Sequence, residues 1–188
     1  IDITNAHPNI LKYVCEKCNI PCPNLSYYVQ NRDTILTAMV DEVGVSRDQA
    51  KEYFLKSTND CKVIKTQFEF LKDYDKELKK IQKKLMDVKQ YAFVLPYSET
   101  KERNQQGSFI NNVMCYYENL ILNDTVDFMK NKNIEILGLF FDGLMVYGTH
   151  TEDLLTQLNQ CIYDKWNYDF KFVFKSHDTL NIPQDFNF

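Results

Sequence analysis

Ile134-Glu135-Ile136-Leu137-Gly138-Leu139-Phe140-Phe141 runs into Asp142-Gly143 and on through Leu144-Met145-Val146-Tyr147. Two β-favouring runs around an Asp-Gly pair predict a hairpin, since a tight loop needs residues that accept unusual dihedrals. The turn leaves one carboxylate, Asp142, at the end of a strand. A second, Asp2, opens the segment Asp2-Ile3-Thr4-Asn5-Ala6-His7-Pro8. If folding brings the two together, their like charges raise one pKa or demand a cation. A pair of divalent ions held this way is the usual apparatus for in-line phosphoryl displacement.

The sequence between these aspartates has the 3.6-residue rhythm of helices. Pro8 suits the first turn of a short helix carrying Ile10, Leu11 and Val14, ending before Pro21. Ser26 to Val43 reads as a second helix closed by Gly44. Ser46-Arg47-Asp48-Gln49 has the form of a capping box that opens a third. From Ile64, the positions Phe68, Leu71, Leu78, Ile81, Leu85 and Val88 predict a long amphipathic helix, and Ser108 to Leu122 another, with a short helix at about Thr125 to Lys130. After the hairpin come a helix from Glu152 to about Trp166 and a strand from Asp169 to Lys175. The implied class is α+β: a small antiparallel sheet backed by helices, with a mainly helical lobe inserted after the first strand.

Composition narrows the function. The 188 residues are 44% apolar and 26% charged, and the net charge of −4 argues against a protein that coats polyanions generally. Lys62, Lys65, Lys72, Lys76, Lys79, Lys80, Lys83, Lys84 and Lys89 are bunched, yet Asp73, Asp75, Glu77 and Asp87 among them make a solvated helix face the better reading. The sequence has no run of the roughly 18 apolar residues that a span needs, so no membrane partner is expected. Six cysteines without a leader point to reduced thiols in an intracellular compartment: host cytoplasm, nucleus or a viral replication site. Ile at the first position and a truncated first strand read as a fragment of a longer polypeptide.

Arg47, Lys51, Leu55 and Asn59 are four apart on the capped helix and form one slowly drifting stripe led by two cations. Arg offers a planar fork to phosphate oxygens, and Lys a point charge that can stabilise or protonate a leaving pyrophosphate. Gln106-Gly107-Ser108, at a helix start, can set an amide beside a base edge or sugar. Cys15, Cys18 and Cys22 with His7 lack the second matched pair of a zinc site, and Cys61, Cys115 and Cys161 read as core. His150 and His177 have no nucleophile pattern beside them.

Taken in order, these segments resemble the family A DNA polymerases and the transposon- and virus-encoded polymerases related to them. Asp2 to Pro8 is similar to motif A, Ser46 to Asp60 to motif B, Gln106-Gly107-Ser108 to the primer-template element, and Phe140 to Val146 to motif C. The resemblance covers about the first 150 residues and implies a right-hand palm (1–7 and 90–188) with a helical fingers insertion (8–89). It implies template-directed DNA synthesis, with Asp2 and Asp142 holding two Mg²⁺ ions, or Mn²⁺ in their place. Arg47, Lys51, Leu55, Asn59 and His7 would face the nucleotide, with Lys51 also catalytic. Gln106, Gly107, Ser108 and Lys175 would face nucleic acid. Expected partners are primer-template DNA, dNTP or rNTP and other replication proteins. His7 stands where DNA-synthesising members often carry Glu to exclude ribose, and Asn59 where a Tyr is common, which opens a primase-like alternative using ribonucleotides. The other alternative is a non-catalytic, polymerase-derived module for nucleic-acid binding or replisome assembly.

Overall fold

The computed structural model describes residues 1–59, 62 and 64–175. By packing, the chain divides into two units, residues 5–121 and the pair of segments 1–4 and 122–188. Motif order had placed the division at 89/90. The later cut follows from contacts such as the hydrogen bond between the Tyr91 and Tyr117 hydroxyls, 3.1 Å, which binds residues beyond 89 to the larger unit.

The larger unit is helical. Helix α1 (Ala6–Lys17) starts after Asn5, which takes left-handed backbone at φ 50, and Pro8 lies in its first turn, where its missing N–H costs no hydrogen bond. Helix α2 (Pro23–Val43) kinks at Asn31 and is closed by Gly44 at φ 73. Helix α3 (Arg47–Asn59) opens on the expected capping box: the Gln49 amide donates to Ser46 Oγ at 3.2 Å, and Ser46 N donates to Gln49 Oε1 at 2.8 Å. Helix α4 (Glu69–Met86) is shorter than predicted because Ile64 to Phe68 stay outside it. A 3₁₀ turn (Lys89–Val94) and the short α5 (Leu95–Glu99) lead to α6 (Gln105–Asn131), which absorbs both helices predicted between 108 and 130.

The core between α2, α3 and α4 is aromatic. Tyr28 stacks on Phe54 with centroids 4.3 Å apart, and Tyr74 meets both. Beside it lies a buried polar knot. Asp75 accepts from Ser57 Oγ (2.7 Å) and the Ile64 amide (3.1 Å) and pairs with Lys79 (2.9 Å), which also donates to the Ser57 carbonyl (2.8 Å). Lys79 therefore leaves the solvated face expected of it and turns inward.

The smaller unit holds a four-stranded antiparallel sheet in the order β2-β3-β1-β4, where β1 is Asp2–Ile3, β2 Ile136–Phe140, β3 Gly143–Val146 and β4 Phe172–Val173. The α+β class and the hairpin are thus observed. Helix α7 (Glu152–Trp166) has the predicted bounds, buries Leu155, Leu158 and Ile162, and takes the Phe172 amide on Asn159 Oδ1 at 3.0 Å. The last strand is far shorter than the expected 169–175. Edge strand β2 turns Leu137 and Leu139 outward, and Phe141 beyond it is exposed as well. No described helix is long and apolar enough to cross a membrane.

Candidate cation and phosphate sites

In the smaller unit, Asp2 on β1 faces Gly143 on β3 in register, and the Ile3 amide donates to the Asp142 carbonyl at 3.3 Å. Asp142, in the turn that leads into β3, therefore directly precedes the residue paired with Asp2. The turn is Phe141-Asp142 rather than Asp142-Gly143, and Phe141 takes the positive φ of 49 that such a hairpin requires. A non-glycine residue in that region carries local strain, and here it directly precedes a candidate metal-binding carboxylate. Gly143 is dictated by contact: a Cβ there would collide with Asp2 Oδ1 and stand 2.5 Å from the Ile1 carbonyl. Both aspartates are half-buried, and oxygen-only ligands of this sort suit a hard cation such as Mg²⁺. Lys175, expected at a nucleic-acid phosphate, instead pairs with the Asp2 carboxylate.

In the larger unit, a cavity of about 320 Å³ brings together His7, Lys51 and Leu55, three of the five residues expected at a nucleotide. The stacked Tyr28 and Phe54 line it too, and its polar wall is made by Asn5, Arg32, Thr58 and the carboxylates Asp48 and Glu52. Asn5 Nδ2 and Arg32 Nε are buried donors that have no hydrogen-bond partner. Lys51 pairs with Asp48 at 2.7 Å, and this bond holds the Asp48 carboxyl below its ordinary range. Burial pushes the Tyr28 phenol up, against the opposing hydrogen bond from Arg32, and keeps it neutral.

The other two stripe residues are used elsewhere. Arg47 is ion-paired to Asp33, away from the cavity lining. Asn59 ends α3, where its carbonyl accepts from Asn104 Nδ2 at 2.8 Å. A 400° advance per four residues drifts the stripe off one line, so its ends diverge from its middle. Gln106, Gly107 and Ser108 lie inside α6 rather than in a turn before it. A Cβ on Gly107 would collide with the Asn59 carbonyl and the Asn104 side chain, so this glycine serves the joint between α3 and α6.

His7 has a second set of neighbours. Its Nε2 stands 3.3 Å from Glu118 Oε1, and Cys115 lies beside both. Burial pushes the imidazole pKa down, but hydrogen bonds with Cys115 and Glu118 and the Glu118 charge outweigh it and carry it up to about 9. Cys115, expected in the core, is half-buried in this polar group. The cysteines at 15, 18 and 22 are free thiols, and Cys15 hydrogen-bonds Cys22. Cys61, Asp60 and His177 lie outside the described residues. The sequence singles out neither Asn5 nor Arg32 for the cavity, because neither shares a spacing with the cationic stripe, while Tyr28, a stacking candidate from its aromatic ring with core the favoured reading, is buried against Phe54.

No family model matches the sequence, and no solved structure matches it. Among curated proteins, the chain is 28% identical over 182 residues to the Sputnik virophage protein named "Putative helicase V13". The match covers 89% of this chain and 23% of that protein, so the chain spans about a quarter of its relative's length. This comparison corrects the expectation of template-directed DNA synthesis, together with its primase-like and polymerase-derived alternatives. The relative carries a helicase designation, and the polymerase reading drew on motifs that are individually short.

Proposed function

We propose that this chain is a nucleic-acid-engaging module of a helicase-like viral replication protein, and that its own contribution is to hold phosphate groups. The observation that carries this reading is the cavity of the larger unit. It gathers Lys51, Arg32 and His7 with the carboxylates Asp48 and Glu52 beside stacked aromatic rings, and leaves two buried donors, Asn5 Nδ2 and Arg32 Nε, without partners. A buried donor left unpaired costs about 1–3 kcal/mol, and an acceptor-rich anion such as phosphate would satisfy both. The stacked rings suit the planar or sugar portion of a nucleotide. The pattern G-x-x-x-x-G-K-[ST] occurs nowhere in the 188 residues, so any phosphate held here is held by side chains rather than by a P-loop.

In the smaller unit, Asp2 and Asp142 would hold Mg²⁺ or Mn²⁺, which when bound supplies positive charge for phosphate oxygens. Gly143 keeps Asp2 close to the β3 backbone, and Lys175 balances the Asp2 charge. For architecture alone, we propose that this sheet follows a palm plan, supported by its strand order and by the place of Asp142 directly before the residue paired with Asp2.

Fluorescence titration with labelled ATP and with a labelled single-stranded DNA oligonucleotide, each with and without Mg²⁺, tests the reading. Lys51→Ala should weaken ATP binding about tenfold, the loss expected of one charged hydrogen bond. Asp142→Asn should remove the Mg²⁺ dependence of oligonucleotide binding. Failure of both ligands to bind, or unchanged affinities in Lys51→Ala, would overturn it.

A further inference from the structure

Of the group formed by His7, Cys115 and Glu118, the phosphate reading uses His7 alone. One imidazole nitrogen, one thiol sulfur and one carboxylate oxygen lie within 4.8 Å of one another, and all three residues are half-buried. Cys115 and Glu118 are three apart on α6 and so share a face, while His7 comes from the first turn of α1. Asn111, one turn before Cys115, donates Nδ2 to its Sγ at 3.7 Å. We propose that His7, Cys115 and Glu118 form a transition-metal site for a Zn²⁺-type ion, with a fourth position left for water or an added ligand.

The donor set decides the class of ion. A soft thiolate with an imidazole favours zinc or its neighbours, whereas Mg²⁺ prefers oxygen alone. Zinc bonds of about 2.0–2.3 Å put tetrahedral ligand atoms roughly 3.5 Å apart, and side-chain rotation from the present separations can reach that. His7 Nε2 and Glu118 Oε1, at 3.3 Å, are already there. The Asn111 N–H on Cys115 is the outer-shell bond that steadies a ligating thiolate. Binding deprotonates the thiol, and the proton leaves to solvent. No spacing rule reveals the site, because His7 and Cys115 are far apart in sequence and meet only in the fold.

Co²⁺ titrated into the full chain reports on the thiolate through its sulfur-to-cobalt charge-transfer absorption. The expected result is one Co²⁺ per chain, displaced by Zn²⁺, with the band lost in Cys115→Ser and Zn²⁺ affinity lowered at least about tenfold in Glu118→Gln. Glu118→Gln keeps a hydrogen-bond acceptor for His7 and so tests the site even if the cysteine variant unfolds. Absence of the band in the unmodified chain, or its full retention in a folded Cys115→Ser, overturns the proposal; retention would assign the ion to Cys15, Cys18 or Cys22. Unchanged Zn²⁺ affinity in Glu118→Gln overturns it as well.

Discussion

His7 shows how one side chain acquires properties that its sequence neighbours do not announce. Its imidazolium is favoured by Glu118 and Cys115 up to about pH 9, against an ordinary value of 6.5. Because the folded value is the higher, the stabilisation is fully present below about pH 6.5 and is lost as pH rises through about 9. Its ceiling is on the order of 3 kcal/mol. Urea unfolding at pH 6 and pH 9 should therefore show a fall in stability that His7→Gln abolishes; an equal fall in the variant would assign the dependence to another group. Gly143 makes the second case at this scale. Gly143→Ala should weaken Mg²⁺ binding more than about tenfold, because the new methyl meets both Asp2 Oδ1 and rigid backbone at Ile1. At Gly138 the same methyl meets only the movable Phe140 ring, at 3.0 Å. Isothermal titration of the two variants should separate them, and equal affinities would show that Gly143 does not position Asp2.

At the scale of elements, α3 presents Lys51 and Leu55 to the cavity because both of its ends are held. The capping box fixes the start, and the buried knot around Asp75 fixes the end against α4. Asp75 is fully buried and receives three donors, so Asn in its place removes the Lys79 counter-charge and one acceptor oxygen, although Lys79 keeps its bond to the Ser57 carbonyl. Asp75→Asn should cost about 3 kcal/mol in chemical denaturation, whereas Gln49→Ala at the exposed cap should cost about 1. A loss under 1 kcal/mol for Asp75→Asn would mean that the knot does not hold α3. The capping box was legible because its four residues are contiguous and its bonds local. Lys79 was misread as a surface charge because helical periodicity reports which face a residue lies on, and Asp75, one turn away, drew it inward. The merged α6 was misread for a related reason: Asn123 and Asp124 look like a break, yet Asp124 is engaged by Lys165 and Trp166 of α7.

For the whole molecule, a net charge of −4 limits how nucleic acid can be engaged. Contact must come from a few local cations, so the oligonucleotide affinity should fall with salt at a shallow log–log slope of roughly −2, the value for two or three phosphates on a single strand. Anisotropy titrations across KCl concentrations check this; a slope steeper than about −5 would indicate a broad basic surface. The class α+β, the hairpin carrying Asp142, the bounds of α7 and the opening of α3 followed from the sequence itself. Each depends on periodicity, turn chemistry or capping within a few residues. Tertiary structure alone decided that Asp2 lies beside Gly143, that Lys175 turns to Asp2, that Gly107 serves a helix joint and that His7 meets Cys115 and Glu118. These pairings join residues far apart in the chain, and their energies come from packing and charge in the folded state, which local spacing does not encode.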